Sequence, residues 1–395
     1  MKLLIVYHAG LGEEAKKFYR EYVKQGIDLT VIAPSKLAVD KVFSPSGCFA
    51  YNPKHSEKGY NFLPVDLREP SNYGWGFKFF QLFRAIKKAK PEVIHVLDEY
   101  SSIYLAQVVF FRNILYGKKV PVLAYSFHNI PFIPDPLYAK NSRRFFHKII
   151  YKTLRSFIFY YNKKYISGIT GANTEGLENI KEMGAKCPMR HIFWGVDFNV
   201  FQVKNKDLCR EKLGIPRDIK LVGYFGRIIE EKGLRDIVEA ASRIKNCFVV
   251  FVGSGDYESE LKRVIEFFNM KDKVFIYSSV SQDKIADYYN CLDCFILASR
   301  TMNSWKEQYG RVLVEAMACQ IPIIGSSSGA IPEVLNGYPK HLIFREDSID
   351  DLADKIKKID ELKFPGNFNL DKLLYKFSVE NFVREHIKFY KTLLI

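Results

Sequence analysis

Short apolar segments alternate with helix-length segments along most of this chain, and this alternation limits the possible folds most strongly. The apolar segments are rich in β-branched and aromatic residues and are bounded by Gly, Pro or Asn. Strands buried on both faces of a parallel sheet have this composition, and helices usually connect them. We therefore predict an α/β fold built from doubly wound parallel sheets. The predicted strands are residues 3–7, 29–33, 93–97, 122–127, 166–172, 190–194, 221–225, 247–252, 274–278, 294–298 and 322–325.

The predicted strands form two series, which a polar and charged stretch over about residues 202–220 separates. A chain of 395 residues is long enough for two domains of ordinary size. We predict a Rossmann-like domain over residues 1–200, a second over 201–376, and an amphipathic C-terminal helix over 377–395 that crosses back to the first domain. Ligands of open α/β sheets bind at the carboxyl ends of the strands. Two such domains would therefore face each other across a ligand-binding cleft.

The charge of the chain predicts an anionic partner. The net charge is +15 and the isoelectric point is about 9.2, which is typical of proteins that bind phosphorylated ligands, anionic lipid or nucleic acid. Seven scattered cysteines do not suggest a disulfide framework, so we expect a reducing, cytoplasmic location. Cys291 and Cys294 form an isolated CxxC motif, which we interpret as part of a core strand rather than a metal site.

Two carboxylates, Glu307 and Glu315, lie eight positions apart in a largely apolar segment. On a helix this spacing corresponds to a rise of about 12 Å and to nearly the same face, so the pair could hold the two ends of a sugar–diphosphate–ribose unit. Between them, Tyr309, Gly310 and Arg311 predict a helix start, whose unbonded N–H groups suit a diphosphate. Solvated glutamates on a half-buried helix are the simpler interpretation of the pair taken alone.

A second motif, GRIIEEKG, places two cations after a predicted strand. Arg227 and Lys232 stand at the strand end and near the next helix start. Cations in this position can neutralise a diphosphate, Arg through its planar fork and Lys as a point charge. An ordinary surface turn would have the same residues. The sequence contains no Asp-x-Asp metal-binding motif.

The order of these motifs resembles the retaining family-four glycosyltransferases of the GT-B fold, the glycosyl transferases group one, over nearly the full chain. The matching segments also include WGVD, FVGSGDYESEL and VSQDKIADYYNCLDCFILAS. Three positions depart from the family pattern. Leu11 separates the glycines of the first loop, Gln320 replaces a frequent Gly, and Ala330 replaces the second of two glycines.

The resemblance implies a role for each matching residue. Arg227 and Lys232 would bind the donor diphosphate, Glu307 the donor sugar and Glu315 the ribose. His128 would reach the donor sugar near the reacting carbon, although a histidine after a strand is often only a core residue. The remaining donor-binding positions would be Gly10, Gly12, Val280, Tyr309, Gly310 and Arg311.

The resemblance also implies transfer with retention of configuration, a UDP- or GDP-sugar donor, and no metal or other cofactor. We expect a hexose to move to a glycan, lipid-linked or lipid acceptor in cell-surface polysaccharide or glycolipid synthesis. Two alternatives stay open, a GT-B nucleotide-sugar epimerase or phosphorylase, and a basic nucleic-acid-binding protein. The chain has no recognisable RNP, KH or zinc-finger pattern, so we expect no nucleic-acid partner.

Residues 140–164 form a basic segment without acidic residues. Arg144, Lys148, Lys152 and Arg155 would share one face of a helix, with apolar residues on the other face. Such a helix can bind an anionic membrane surface, which would make the protein peripheral at the inner face of the cell membrane. An ordinary domain helix with a solvated face is the alternative.

Overall fold

The computed structural model describes residues 1–38, 48–52, 59–69, 73–131, 145–278, 280–281, 284–303 and 305–394, with the backbone alone for 145–152. Two compact units are present. Unit 1 is Met1–Phe193 together with Val379–Ile395, and unit 2 is Trp194–Ser378. Lys140, Arg143 and Arg144 of the basic segment lie outside the described residues, as do the side chains of Lys148 and Lys152.

Unit 1 is built on a parallel sheet of seven strands. Its strands and a small antiparallel hairpin are β1 (Lys2–Val6), β2 (Asp28–Pro34), β3 (Lys36–Ala38), β4 (Cys48–Ala50), β5 (Asn61–Val65), β6 (Val93–Val96), β7 (Val122–Ser126), β8 (Gly168–Gly171) and β9 (Met189–His191). The sheet order is β5-β2-β1-β6-β7-β8-β9, and β3 pairs with β4. The helices are α1 (Glu13–Lys24), α2 (Phe79–Ala89), α3 (Ile103–Tyr116), α4 (Phe145–Tyr165) and α5 (Thr174–Glu182).

The strand order fixes the face on which each helix lies. From β1 to β2 the chain moves one way along the sheet, and from β5 through β9 it moves the other way. Because parallel crossovers are right-handed, α1 covers one face, while α2, α3 and α4 cover the opposite face. In agreement, α2 packs on α3 and α3 packs on α4. The direction reverses between β1 and β6, which is where open α/β sheets bind ligands.

Unit 2 is built on a parallel sheet of six strands in the order β12-β11-β10-β13-β14-β15. The strands are β10 (Lys220–Phe225), β11 (Cys247–Val252), β12 (Val274–Tyr277), β13 (Cys294–Leu297), β14 (Ile323–Ser326) and β15 (His341–Phe344). The helices are α6 (Lys206–Leu213), α7 (Leu234–Ser242), α8 (Glu258–Phe267), α9 (Ile285–Asn290), α10 (Arg311–Ala318), α11 (Ile331–Leu335), α12 (Ile349–Lys358) and α13 (Leu370–Tyr375). The chain direction reverses between β10 and β13, so the switch point of this sheet lies between them.

The last helix, α14 (Val379–Leu393), returns to unit 1 and packs on α1. The Tyr390 hydroxyl lies 2.7 Å from Nδ1 of His95 and 2.8 Å from the Tyr22 hydroxyl. His386 reaches Oγ1 of Thr170 through Nε2, at 3.0 Å. Burial lowers the pKa of His386 to about 3 and also lowers the pKa of His95 well below its ordinary value. Both imidazoles are therefore neutral near pH 7.

The prediction of an α/β fold with parallel sheets in two Rossmann-like halves is confirmed. Every predicted strand is present within a few residues, whereas β5, β15 and the hairpin were not predicted. Both β5 and β15 are edge strands, and Asn61 and Pro64 weaken the strand pattern of β5. Cys291 and Cys294 are both buried in unit 2. Cys294 begins β13, as predicted, whereas Cys291 follows the end of α9 and is not part of a strand. Among the described residues, no helix combines the length and the apolar character needed to cross a membrane.

Candidate functional site

The loops that follow the central strands β10 and β13 of unit 2 touch backbone to backbone. Gly233 has φ of 64°, and a Cβ added there would lie only 2.0 Å from the carbonyl oxygen of Ala298. Only glycine permits this approach together with this backbone conformation. The contact brings Lys232, on the first loop, beside Ser299, on the second, at the carboxyl edge of the sheet.

Lys232 and Ser299 meet on one carboxylate. Nζ of Lys232 and Oγ of Ser299 each donate a hydrogen bond of 2.7 Å to Oε2 of Glu307. The Trp305 ring covers the ammonium, with its centroid 4.5 Å from Nζ. The side chains of Lys232 and Glu307 are only 12% and 9% exposed. The site therefore contains a nearly buried ion pair whose carboxylate has a fixed orientation.

Arg227 differs from Lys232 because its side chain is exposed. Its loop lies on the loop that follows β11, since a Cβ at Gly253 would lie 1.9 Å from the carbonyl oxygen of Gly226. The hydroxyl of Tyr224 donates to the carbonyl oxygen of Arg227 at 2.9 Å. Within the described part of the chain, no ion pair of Arg227 is found. A held backbone thus presents an accessible cation at the end of β10.

The second carboxylate, Glu315, belongs to α10. Its Oε2 accepts a hydrogen bond of 2.8 Å from the Tyr289 hydroxyl, and its Oε1 lies 2.9 Å from Nε of Arg311. Glu315 and Tyr289 are buried, whereas the Arg311 side chain is 49% exposed. Burial raises the pKa of Tyr289 well above its ordinary value, so this phenol remains a donor. Glu315 is therefore held from the core side by Tyr289 and from the solvent side by Arg311.

The predicted helix start is confirmed. α10 begins at Arg311, and its N-cap, Gly310, has φ of 75° and ψ of 51°, a left-handed conformation that suits glycine. Tyr309 is buried and donates from its hydroxyl to the carbonyl oxygen of Trp194 at 2.7 Å. Among the residues that the structure describes, no side chain caps the helix, and its first turn contains no acidic residue. The first N–H groups and the positive end of the helix dipole are therefore suited to an anion.

The predicted helical relation between Glu307 and Glu315 is wrong. Glu307 precedes α10, because the left-handed backbone of Gly310 begins the helix only at Arg311. The rise of about 12 Å per eight helical residues therefore does not apply to this pair. Contacts with Lys232 and Ser299, rather than helical periodicity, hold Glu307 in place.

The glycines of the first loop in unit 1 have different surroundings. A Cβ at Gly10 would lie 2.7 Å from the Tyr19 hydroxyl and 2.9 Å from Cβ of Ala33, so this position requires glycine for its own packing. Gly12 is the N-cap of α1 with φ of −72°, and a Cβ there would meet no atom closer than 3.7 Å. Neither observation concerns a ligand, and the donor-binding role of the two glycines stays a prediction.

His128 follows β7 and has an exposed side chain. The carboxylate of Glu99 holds its loop, because Oε1 accepts the backbone N–H groups of Phe127 at 2.8 Å and of His128 at 3.2 Å. Oε2 of the same carboxylate accepts the Ser126 hydroxyl at 2.5 Å. Glu99 was not among the residues predicted from the sequence. The feature that could have indicated it is the pair of consecutive acids, Asp98 and Glu99, directly after a buried strand.

The neighbouring acid, Asp98, lies at the switch point of unit 1 beside His8. Oδ2 of Asp98 is 3.7 Å from Nδ1 of His8. Burial raises the pKa of Asp98 to about 7 and lowers the pKa of His8 to about 4. Near pH 6 the two groups are therefore an uncharged pair rather than an ion pair.

Val280 is half-buried in the loop that follows β12, next to residues that the structure does not describe. Its contact with a nucleotide base stays a prediction. In the described ranges, no three His, Cys, Asp or Glu side chains are grouped so that they could hold a metal ion.

The two sheets and their switch points define a GT-B glycosyltransferase fold. Over its whole length the chain is similar to sucrose-phosphate synthase from Thermosynechococcus elongatus, with a TM-score of 0.70 and 15% identity, covering 99% of that chain. It is also similar to a glycosyltransferase from Rickettsia africae, with a TM-score of 0.68 and 17% identity over 99% of this chain and 98% of that one. Anabaena HepE in complex with UDP gives a TM-score of 0.64 at 15% identity, covering 100% and 97% of the two chains.

Residues 205–369 match the family model Glycosyl transferases group 1. The chain is also similar to the D-inositol 3-phosphate glycosyltransferase of Mycolicibacterium smegmatis, with 29% identity over 171 residues, which are 42% of this chain and 38% of that protein. The capsular polysaccharide biosynthesis glycosyltransferase CapM of Staphylococcus aureus is 26% identical over 170 residues, 42% of this chain and 43% of CapM. The match thus spans about two-fifths of the length of these relatives.

Proposed function

We propose that this protein is a glycosyltransferase that moves a hexose from a UDP- or GDP-sugar to a glycan, lipid-linked or lipid acceptor. The observation that carries the proposal is the buried Lys232–Glu307 pair beside the exposed Arg227. This arrangement lies at the switch point of the unit that contains the group 1 domain. It combines a fixed carboxylate for sugar hydroxyls with positive charge for a diphosphate.

Three groups would bind the donor diphosphate. Arg227 can turn its guanidinium toward phosphate oxygens, and the uncapped start of α10 can supply N–H donors. Lys232 adds positive charge from within its pair with Glu307. These groups would stabilise the charge that develops on the departing diphosphate, so we propose that transfer proceeds without a metal ion.

The two carboxylates would bind the sugars of the donor. Glu307, oriented by Lys232 and Ser299, would accept hydroxyl groups of the hexose. Glu315 would accept the ribose hydroxyls on its solvent side, where the half-exposed Arg311 can move aside. Tyr289 would keep Glu315 in place from the core.

For the chemical step we propose retention of configuration without a protein nucleophile. The acceptor hydroxyl attacks the anomeric carbon on the face that the diphosphate leaves. The bond between the anomeric carbon and the phosphate oxygen breaks, and the acceptor proton passes to that phosphate oxygen. His128 would lie near the reacting carbon, on a loop that Glu99 positions. The resemblance to the retaining family motivates this step.

The relatives suggest the biological context. One carries a name that describes capsular polysaccharide biosynthesis, and another, from Rhizobium meliloti, a name that describes lipopolysaccharide core biosynthesis. We propose a related role for this chain in the synthesis of a cell-surface polysaccharide or glycolipid.

Hydrolysis and transfer assays with UDP- and GDP-hexoses test this function. We expect one donor to release its nucleoside diphosphate, and Glu307→Gln to lower the rate sharply while the nucleotide still binds. Glu361→Gln, which changes an exposed acid of the same unit, is the matched control. Full activity of Glu307→Gln would contradict the role of Glu307. Conversion of the donor into an isomeric nucleotide sugar would identify an epimerase instead.

A further inference from the structure

Three neighbouring helices of unit 1 expose large apolar side chains. On α2, Phe79 and Phe80 are 46% and 74% exposed, and on α3, Phe110 and Ile114 are 42% and 59% exposed. Phe157, on α4, is 66% exposed. The outer face of a helix in a globular domain is normally polar, and clustered apolar exposure marks an interaction site.

The exposed side chains of α2 and α3 are contiguous. The ring centroid of Phe79 is 5.8 Å from that of Phe80 and also 5.8 Å from that of Phe110. Ile114 follows Phe110 by one helical turn and therefore lies on the same face of α3. The apolar surface thus runs without interruption from α2 onto α3.

The same surface continues onto α4. Nδ2 of Asn113, next to Ile114, donates to the Tyr161 hydroxyl at 3.3 Å. The Phe157 ring stacks on the Tyr161 ring, with centroids 6.2 Å apart. We call the surface formed by Phe79, Phe80, Phe110, Ile114 and Phe157 the apolar patch.

Basic residues lie on or beside the helices of the apolar patch, and acidic residues are missing from these helices. Residues 70–91, 100–134 and 136–174 contain no Asp or Glu, and these ranges include all of α2, α3 and α4. By contrast, α1, on the opposite face of the same sheet, contains Glu13, Glu14 and Glu21. The described basic residues on or beside the patch helices include Arg84, Lys87, Lys88, Lys118, Lys119, Lys163 and Lys164.

We propose that the apolar patch docks on an anionic lipid bilayer. Aromatic side chains flanked by Lys and Arg suit the boundary between acyl chains and headgroups. Each basic residue near an anionic bilayer contributes about 1 kcal/mol. A second copy of this chain is a poorer occupant, because a symmetric contact through the patch would bring positive surfaces together. The proposal does not depend on the donor or on the transfer reaction.

Sedimentation with lipid vesicles tests the proposal, using the full chain without nucleotide. The vesicles contain phosphatidylcholine alone or with phosphatidylglycerol. We expect the wild type to sediment with the anionic vesicles and to remain in solution with the neutral ones. The double substitution Phe80→Ser/Phe110→Ser should weaken binding by at least about tenfold, because it removes two interfacial anchors.

Two matched variants separate the patch from general surface effects. Phe267→Ser changes a phenylalanine of unit 2 that is 73% exposed, nearly the same as Phe80, and should leave binding unchanged. Lys87→Glu/Lys88→Glu should weaken anionic binding by about tenfold or more, whereas Lys357→Glu/Lys358→Glu, on α12, should have a much smaller effect. These pairs are consecutive exposed lysines in both cases.

Three results would overturn the proposal. The first is a wild type that sediments with neither kind of vesicle. The second is equal loss of binding in Phe80→Ser/Phe110→Ser and Phe267→Ser. The third is a dimer in analytical ultracentrifugation that Phe80→Ser/Phe110→Ser abolishes, without any vesicle binding, since the patch would then be a contact between copies.

Discussion

The ammonium of Lys232 lies 2.7 Å from Oε2 of Glu307, and both side chains are nearly buried. The residues are separated by 75 positions in the chain, yet they form one charge pair at the switch point of unit 2. Because of this pairing, we expect different roles for the two cations, Lys232 and Arg227. Lys232 is already engaged and fixes the carboxylate, whereas the exposed Arg227 is available to a phosphate without breaking an ion pair in the described structure.

Loss of the Lys232 ammonium should destabilise unit 2. Lys232→Ala leaves Glu307 buried without its cation, which typically costs about 3–5 kcal/mol. In the Lys232→Ala background, Glu307→Gln should recover part of this loss, because it removes the uncompensated charge. Urea unfolding of the single and double variants measures the coupling.

The exposed pair Lys271–Glu266, with side chains 66% and 58% exposed, is the control. Lys271→Ala should change the free energy of unfolding by less than about 1 kcal/mol. Equal effects of Lys232→Ala and Lys271→Ala would contradict a structural role for the buried pair.

Arg227→Ala should weaken nucleoside diphosphate binding and leave the stability of the protein nearly unchanged. The side chain is exposed, so the free energy of unfolding should change by no more than about 0.5 kcal/mol. Loss of a charged hydrogen bond to the diphosphate should nevertheless weaken nucleoside diphosphate binding by about 1.5–3 kcal/mol. Calorimetry gives the affinity and thermal unfolding gives the stability. The control Arg263→Ala, which changes a 77% exposed arginine of α8, should alter neither the affinity nor the stability. An Arg227→Ala variant that binds the nucleotide as tightly as the wild type would rule out a contact between Arg227 and phosphate.

Glu99→Gln should loosen the His128 loop. An amide at this position replaces the carboxylate that accepts two backbone N–H groups and the Ser126 hydroxyl. We expect faster hydrogen exchange at Phe127 and His128 and a lower kcat, with nucleotide affinity little changed because the proposed contacts of Arg227 and Glu315 with the nucleotide are in unit 2. Glu182→Gln, at the exposed end of α5, is the control. Unchanged exchange at both amides would show that Glu99 does not hold the loop.

The Asp98–His8 pair predicts a specific dependence of stability on pH. The pKa of Asp98 rises to about 7 in the folded state, from an ordinary value of 3.8. Between these values the folded state holds a proton that the unfolded state has lost, so this group reduces stability as the pH rises through the window. His8 acts in the opposite sense, since its pKa falls to about 4 and it favours the folded state increasingly as the pH rises toward 6.5.

Asp98→Asn should therefore remove only the first contribution. Relative to the wild type, the variant should gain stability between about pH 4 and pH 7, on the order of 4 kcal/mol, because the pKa rises from 3.8 to about 7 and one pKa unit corresponds to about 1.4 kcal/mol. Urea unfolding over this pH range measures the difference. Asp272→Asn, at an exposed position, should show no such trend. A constant difference between Asp98→Asn and wild type would contradict the raised pKa.

The central strands and the start of α10 could be predicted because local signals specify them. Strands such as β11 and β13 are apolar throughout, and Gly310 marks the helix start with a backbone conformation that favours glycine. The edge strand β5 contains Pro64 and partly exposed residues, so its pattern is weaker. Sequence periodicity thus identified all the central strands of the two sheets, but only β9 and β12 among the four edge strands.

The geometry of the candidate site could be predicted only in part. The motifs selected Lys232 and Glu307 as ligand-binding residues, but their contact with each other depends on the close approach of two loops at Gly233. Local spacing suggested a helix that includes Glu307, whereas tertiary contacts place this residue in a loop. Asp98 and Glu99 were not selected, because their functions depend on neighbouring strands that are distant in sequence.

The most direct test of the donor site is calorimetric titration of UDP, GDP and ADP, in the presence of EDTA, against the wild type, Glu315→Ala and Glu361→Ala. We predict that one nucleotide binds selectively, that Glu315→Ala weakens its binding, and that the exposed control Glu361→Ala does not. Binding that is lost in EDTA and restored by Mg²⁺ would contradict the metal-independent donor site. No binding by any of the three nucleotides, with or without Mg²⁺, would contradict the proposed function itself.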